Sequence, residues 1–171
     1  RASQAALRRT VAIKTLLNTS NLSGDQKERL QKEASALGML QHPNIVQVFD
    51  VSEQNGQPYF VMELVEGISL DEVLAGRLMQ PRDAAALTST LAKAIQAAHN
   101  QGLVHRDIKP GNILLHGGTK PNRDEKVLPS SYFNGVVPKI TDFGLAKKVD
   151  DAQEQARTQG IVGTPSYICL L

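Results

Sequence analysis

The sequence predicts an α+β fold, in which a small mixed layer is followed by two helices and two short strands. Residues 7–17 alternate apolar and polar side chains as a half-buried strand does. Residues 25–40 carry apolar side chains at helical spacing, and two strand-like runs follow within residues 45–65. Residues 81–100 form a second and longer helical pattern. The first 65 residues are therefore predicted to form strand, helix, strand, strand, with the helix packed on the sheet.

The composition is typical of one soluble globular domain. The chain has 171 residues, of which 41% are apolar and 21% charged. The net charge of +2 is too small to favour nucleic acid or an anionic membrane as a partner. The single Cys169 excludes an internal disulfide framework and cannot form a zinc site alone. We expect a cytoplasmic protein that contacts neither nucleic acid nor membrane through these residues, although the parent protein could be tethered elsewhere.

The first strand places a lysine opposite its apolar face. Val11 and Ile13 alternate with Ala12 and Lys14, so Val11 and Ile13 are predicted to face the core. Lys14 then lies on the other face, where this stretch alone favours an ordinary exposed lysine over a functional one.

The first helix carries an acidic residue beside its apolar stripe. Glu33 adjoins the stripe, so it needs either a cationic partner or an exposed edge. The apolar stripe consists of Leu30, Ala34, Leu37 and Leu40.

Turn and stop signals divide the rest of the chain. His42-Pro43-Asn44 ends the first helix, and Asn55-Gly56 indicates a hairpin turn within a loop expected to exceed two residues. A short helix is predicted over residues 70–78. Pro81 begins the long helix and Gly102 ends it in a left-handed conformation. The long helix has the stripe Leu87, Leu91, Ile95 and Ala98.

Residues 116–137 are predicted to be a mobile surface insertion, since they are rich in Gly, Pro, Asn, Ser and Lys. The pair Tyr132-Phe133 within this segment is interpreted as a local tether.

The octapeptide at residues 105–112 concentrates polar chemistry in one loop. It places a carboxylate at Asp107, an ammonium at Lys109 and a carboxamide at Asn112. Groups at this spacing can orient a hydroxyl, neutralise a phosphate and hold a divalent cation. A later strand leads directly into Asp142-Phe143-Gly144.

Three motifs in order give the chain a family resemblance. Residues 11–14 match V-A-I-K, residues 105–112 match H-R-D-x-x-x-x-N with Ile in place of the usual Leu, and residues 142–144 match D-F-G. The chain resembles the eukaryotic-type protein kinases, in particular the Ser/Thr branch and its bacterial members.

The resemblance implies a two-lobe protein-kinase-like fold. Residues 1–62 would be a partial N-lobe, residues 63–69 the hinge, and residues 70–171 a partial C-lobe. That C-lobe would contain the catalytic loop, the insertion and an activation segment over residues 142–171.

The resemblance also implies ATP and Mg²⁺ as cofactors and a role for each motif residue. Lys14 would contact the ATP phosphates and be held by Glu33. Asp107 would accept the proton of the substrate hydroxyl, and Lys109 would steady the γ-phosphate. The Mg²⁺ ligands would be Asn112 and Asp142.

An adenine site follows from the same resemblance. Met62 would be the gatekeeper, and the backbone from Glu63 to Val65 would face the adenine. Ala12 and Leu114 would sandwich the ring. The apolar spine of the family would comprise Leu37, Val48, His105 and Phe143, which makes His105 structural.

The resemblance further implies a Ser/Thr side chain of a protein as the substrate. Lys109-Pro110 favours Ser/Thr over Tyr specificity, and Thr164 agrees. Arg106 before Asp107 is typical of kinases that are activated by phosphorylation, and Thr158 is the candidate phosphosite.

The chain departs from the family at both ends. No G-x-G-x-x-G precedes Lys14, and the sequence stops shortly after Tyr167, with Cys169 where the family has Ala. The fold is therefore expected to be truncated at both ends, with weakened ATP binding and a partly exposed long helix. We expect this 171-residue chain alone to have little or no kinase activity, although the parent domain would be active.

Three alternatives remain open at the level of sequence. A pseudokinase or ATP-binding scaffold is disfavoured because all the charged and amide residues of the motifs are present. A small-molecule kinase of the aminoglycoside-phosphotransferase type is disfavoured by Arg106 and Lys109-Pro110. A fragment without an independent fold is the third.

Overall fold

Two antiparallel sheets organise the residues that the computed structural model describes, which are 2–4, 9–15, 34–122 and 124–143. The first sheet has four strands in the order β1-β2-β4-β3, and the second has three in the order β5-β6-β7. The strands are β1 (Ala2–Gln4), β2 (Arg9–Thr15), β3 (Val48–Gln54), β4 (Gln57–Glu63), β5 (Gly67–Ser69), β6 (Ile113–His116) and β7 (Val137–Ile140).

Three helices accompany these strands in the described part of the chain. Residues 34–39 are helical and are called α1 here. The others are α2 (Leu70–Leu74) and α3 (Pro81–His99), and short 3₁₀ turns cover Pro110–Asn112 and Ser130–Phe133. The predicted order of strand, helix, strand, strand is confirmed, with β1 as an additional strand. No helix among these residues is both long and apolar enough to cross a bilayer.

Strand β2 follows the predicted alternation only in part. Val11 is buried as expected, whereas Ile13 is 48% exposed, so its predicted place in the core is wrong. Ile13 pairs with Val61 of β4, as Val11 pairs with Glu63, so the difference in exposure reflects what packs against this face of the sheet. The burial of this face therefore changes along β2, which the alternation of apolar and polar residues does not indicate.

The hairpin between β3 and β4 is tighter than expected. Gln54 pairs with Gln57, so the loop contains only Asn55 and Gly56. Both have positive φ, 54° and 77°, as a two-residue turn of type I′ requires. The longer predicted loop was wrong because polar residues at the ends of both strands continue the pairing up to the turn.

Helix α1 buries the part of the predicted stripe that the structure describes. Ala34, Leu37 and Leu40 are all buried in the first hydrophobic cluster. Leu30 and Glu33 lie outside the described residues. The helix ends before His42-Pro43, as predicted.

Local end signals position α2 and α3 as the sequence indicates. The Ser69 hydroxyl accepts a hydrogen bond from the Glu72 backbone N–H at 3.2 Å, which caps α2. Pro81 opens α3, and Gly102 follows its end with φ of 73°. Helix α2 ends at Leu74 and is shorter than predicted.

The segment between β6 and β7 is anchored, contrary to the predicted mobile insertion. Leu128 has no exposed surface and belongs to the second hydrophobic cluster. Its N–H donates to the Leu78 carbonyl oxygen, and the Leu78 N–H donates to Lys126, both at 2.9 Å. The Tyr132 hydroxyl donates to the Thr119 carbonyl oxygen, so the expected local tether is confirmed. A few apolar side chains hold a segment whose composition is otherwise that of a loop.

The end of β7 joins the two sheets. The Val46 N–H donates to the Ile140 carbonyl oxygen, and the Ile140 N–H donates to that of Asn44, both at 2.8 Å. Ile45 forms an isolated parallel bridge with Ile140. The segment that follows α1 is therefore bonded to the second sheet, directly before residues 141–143.

Candidate active site

The loop between α3 and β6 brings three predicted site residues together. The Asp107 carboxylate contacts the Lys109 ammonium at 3.0 Å. The Asn112 side-chain amide donates to the Asp107 carbonyl oxygen at 2.8 Å and to its carboxylate at 3.1 Å. The Asn112 backbone N–H closes a turn onto the Lys109 carbonyl oxygen at 2.9 Å. One short loop thus presents a carboxylate, an ammonium and an amide around a common point.

His105 is buried behind this loop and serves as a structural connector. Its Nδ1 accepts the Asp107 N–H at 3.2 Å, which leaves Nε2 to donate to the Thr141 carbonyl oxygen at 2.8 Å. Both bonds together require the neutral imidazole. Burial lowers the pKa of His105, which favours the same neutral form. The ring also contacts Phe143, with 4.6 Å between the centroids, as the predicted structural role requires.

Two residues beside the reactive groups have backbone conformations that are unusual outside glycine. Arg106 has φ of 63° and Asp142 has φ of 62°. Such conformations cost about 1–3 kcal/mol each and persist where the surroundings impose them. The Thr141 N–H donates to the Asn112 carbonyl oxygen at 2.9 Å and links the two strained segments.

Lys14 reaches the site from the first sheet. Its ammonium lies 2.6 Å from a carboxylate oxygen of Asp142, and both side chains are about one-third exposed. The partner expected from the resemblance, Glu33, lies outside the described residues. The structure therefore unites the first and last motifs through Lys14 and Asp142.

The predicted adenine-binding residues lie on both sheets. Ala12 and Met62 are direct cross-strand partners in the first sheet. Leu114 lies in β6 of the second sheet and is partly buried. Val65 lies in the connector between β4 and β5, which is not part of a helix or strand.

Glu63 departs from its expected role in one respect. Its backbone N–H donates to the Gln47 carbonyl oxygen at 2.9 Å and is therefore not offered to a ligand. Its carboxylate binds the Lys139 ammonium, with N–O distances of 2.9 and 3.1 Å. Sequence reasoning missed Lys139. The signal was a lysine within a short buried strand, where a charge needs a partner.

The predicted apolar spine is partly visible. Leu37, Val48 and Phe143 belong to one hydrophobic cluster, and His105 contacts Phe143. The candidate phosphosite Thr158 lies outside the described residues, together with Thr164.

The described residues form no cluster of three or more His, Cys, Asp or Glu that could hold a metal. The predicted cation ligands are instead one amide and one carboxylate. The side-chain nitrogen of Asn112 donates to Asp107, so the side-chain oxygen of Asn112 is the atom that remains for a cation. That oxygen and the Asp142 carboxylate are donors that suit a hard cation with most of its ligands drawn from phosphate and water.

Known proteins are similar to this chain in sequence. The sequence profile of the protein kinase domain matches residues 1–169. Serine/threonine-protein kinase pkn2 of Myxococcus xanthus is 35% identical over 167 residues, which cover 96% of this chain and 18% of that protein. Serine/threonine-protein kinase PknA of Mycobacterium tuberculosis is 40% identical over 169 residues, which cover 95% of this chain and 35% of that protein. The chain thus spans well under half the length of these curated relatives.

Solved structures agree with the sequence comparison. The crystal structure of the Mycobacterium tuberculosis PknI kinase domain matches with a TM-score of 0.64 and 27% identity, over 80% of this chain and 50% of that one. Rad53 residues 1–466 in complex with AMP-PNP match with a TM-score of 0.60 and 30% identity, over 81% of this chain and 32% of that one. The fold is part of a protein kinase fold. This chain belongs to the protein kinase family.

Proposed function

We propose that the protein is an ATP-dependent serine/threonine protein kinase, which transfers the γ-phosphoryl group to a hydroxyl of a protein substrate. The observation that carries the proposal is the Asp107 carboxylate held between Lys109 and Asn112 within one loop. The relatives named serine/threonine-protein kinases support the same reaction class.

Asp107 is the group that would orient the attacking hydroxyl. A carboxylate accepts the hydroxyl hydrogen, and the contacts to Lys109 and Asn112 fix its direction. Phosphoryl transfer has a loose transition state, so orientation matters more than base strength. The Lys109 ammonium lies 3.0 Å from this carboxylate, close enough to neutralise a phosphate delivered to the same point.

ATP would lie between the two sheets. Lys14 is the cation for the phosphates, and its present partner Asp142 marks where they would arrive. Adenine would contact Ala12, Met62, Leu114 and the backbone from Glu63 to Val65, with Glu63 offering only its carbonyl oxygen. The adenine-nucleotide analogue in the related Rad53 structure supports ATP as the nucleotide.

Mg²⁺ would be held by Asn112 and Asp142. When bound, it would neutralise charge on the phosphate oxygens. The protein's part is to hold these two oxygen donors on adjacent segments, which the Thr141 to Asn112 hydrogen bond does at 2.9 Å. The ion pair with Lys14 orients the Asp142 carboxylate in the same region.

The remaining expectations also stand as proposals. Residues 1–62, 63–69 and 70–171 would be partial N-lobe, hinge and partial C-lobe, acting in the cytoplasm. Thr158 would be the activating phosphosite, with its phosphate paired to the exposed Arg106. Mapping of the autophosphorylated protein tests this, and a fully active Thr158→Ala variant would contradict it.

Phosphate transfer to a basic model protein tests the proposed activity. The parent protein that contains these residues is used, because the 171-residue chain alone is expected to have little or no activity. It is incubated with Mg²⁺ and ATP, and phosphoserine and phosphothreonine are measured by mass spectrometry. Asp107→Asn should lower the rate by about 10²- to 10⁴-fold, the usual contribution of a positioned acid or base. Asp124→Asn, an exposed carboxylate between β6 and β7, should leave the rate unchanged.

The same assay separates a kinase from a scaffold. Saturable ATP binding without transfer under any condition would indicate an ATP-binding scaffold. Transfer that survives Asp107→Asn would exclude the proposed mechanism. The relatives named as kinases give the scaffold alternative no support.

A further inference from the structure

A largely buried ion pair connects the two sheets away from the reactive groups. Glu63 is the last residue of β4, and Lys139 lies within β7. The Lys139 ammonium contacts both carboxylate oxygens of Glu63, at 2.9 and 3.1 Å. The Lys139 side chain is only 13% exposed and the Glu63 side chain 28%. If either residue were removed, the charge of the other would remain partly buried without a partner, which is energetically costly.

Gln47 extends this ion pair toward α1. Its backbone N–H donates to the Glu63 carboxylate at 3.3 Å, and the Glu63 N–H donates back to its carbonyl oxygen at 2.9 Å. Its side-chain amide donates to the carbonyl oxygen of Gly38, in the last turn of α1, at 3.0 Å. The ion pair therefore belongs to a connected polar network and is not an isolated surface contact.

The two ends of the pair lie in the two walls of the proposed adenine site. Glu63 directly follows Met62 and precedes the connector that contains Val65. Lys139 is the cross-strand partner of Leu114 in the β6–β7 ladder. An ammonium that contacts both carboxylate oxygens limits how far these two backbones can separate or slide.

We propose that Glu63 and Lys139 are positioning residues. Their ion pair sets the distance between the connector that follows β4 and the β6–β7 ladder, and this distance is the one that adenine requires. The inference rests on the proposed ATP-dependent function. The hydrogen bonds and ion pairs described for the two side chains join them to each other and to Gln47, and not to Lys14, Asp107 or Asp142, so we assign their contribution to the affinity for the base. Loss of the pair should therefore weaken the binding of adenosine and of ATP by the same factor.

Calorimetric titration of the protein with adenosine and with Mg²⁺-ATP tests the proposal. Lys139→Met should raise both dissociation constants at least about fivefold, the lower end of typical coupling between sites. Lys139→Arg, whose guanidinium can still bind the carboxylate with two hydrogen bonds, should bind both ligands within about twofold of wild type. Glu63→Gln keeps the shape of the side chain and removes its charge. It serves as a second test if Lys139→Met does not fold.

Two control variants separate positioning from general destabilisation. Lys93→Met removes an exposed charge on α3 and should leave both dissociation constants unchanged. Leu128→Ala removes buried volume in the second cluster and should lower the melting temperature without changing adenosine affinity.

The outcomes distinguish failure of this inference from failure of the proposed function. A wild-type parent protein that binds no ATP would refute the proposed function, and this inference with it. ATP binding with unchanged affinities in Lys139→Met or Glu63→Gln would overturn the positioning role alone. A loss of ATP affinity without loss of adenosine affinity would also overturn it, since the effect would then lie at the phosphates.

Discussion

Replacing Leu128 with Ala tests whether the segment between β6 and β7 belongs to the core. The substitution removes three carbon atoms from a side chain with no exposed surface. Their transfer from water accounts for about 2.4 kcal/mol at ~0.8 kcal/mol each, and an unrelaxed cavity adds to this. We expect a loss of about 3 kcal/mol in the free energy of unfolding, whereas substitutions in loose surface loops stay within about 0.5 kcal/mol.

Thermal denaturation followed by fluorescence measures the effect. For a chain of this size, ~3 kcal/mol corresponds to a decrease of about 6–12 °C in melting temperature. Val127→Ala is the matched control, because the neighbouring Val127 is 43% exposed and should lose less than about 1 kcal/mol. A melting temperature for Leu128→Ala equal to that of the control would refute the anchored segment.

Two further predictions concern stability. Burial lowers the pKa of His105, so as pH falls the unfolded chain, with an imidazole pKa of about 6.5, takes up the proton first. The stability contributed by the buried neutral imidazole is therefore complete above that pH and is lost as the pH falls below it. The melting temperature should fall less between pH 7.5 and 5.5 in His105→Tyr than in the wild type. Parallel curves for the two proteins would contradict this. Gly67→Ala should destabilise, because its Cβ would overlap the Leu115 carbonyl oxygen. Helical Gly38→Ala meets nothing within 4 Å and should stabilise by about 0.5–1 kcal/mol. Melting shifts of the same sign would contradict the pair.

Features set by neighbouring residues could be predicted from the sequence. Pro81 and Gly102 bound α3 as expected, because a fixed φ and a left-handed stop act within one helical turn. The catalytic loop behaves similarly. Asp107, Lys109 and Asn112 lie within six residues, so a single turn suffices to bring their side chains together.

Features that depend on distant packing could not be predicted in the same way. Alternation in β2 shows which side chains share a face but not how far that face is covered, so the exposure of Ile13 was missed. The composition of residues 116–137 obscured one buried leucine, Leu128. Its backbone bonds to Leu78, which lies 50 positions earlier in the sequence and beyond the reach of any local rule.

The ion pair of Glu63 and Lys139 illustrates the same limit within the site. The two residues are separated by 76 positions, and neither is charged in a locally diagnostic pattern. Their pairing depends on how the first sheet, which contains Glu63, packs beside the second sheet, which contains Lys139. The interpretation of Lys14 was open for the same reason until Asp142 was found 2.6 Å away.

The two hydrogen bonds between Ile140 and residues 44–46 would make this junction the fixed hinge point, here called the fulcrum, of any motion between the sheets. A hinge-like opening of the cleft keeps a point fixed where the backbones are bonded and moves atoms farther with increasing distance from it. The end of α1 at residue 39 would therefore stay with the second sheet, while the tip of the β3–β4 hairpin travels farthest. Amide exchange at Val46 and Ile140 would accordingly report disruption of the fulcrum itself, and would be insensitive to opening and closing of the cleft.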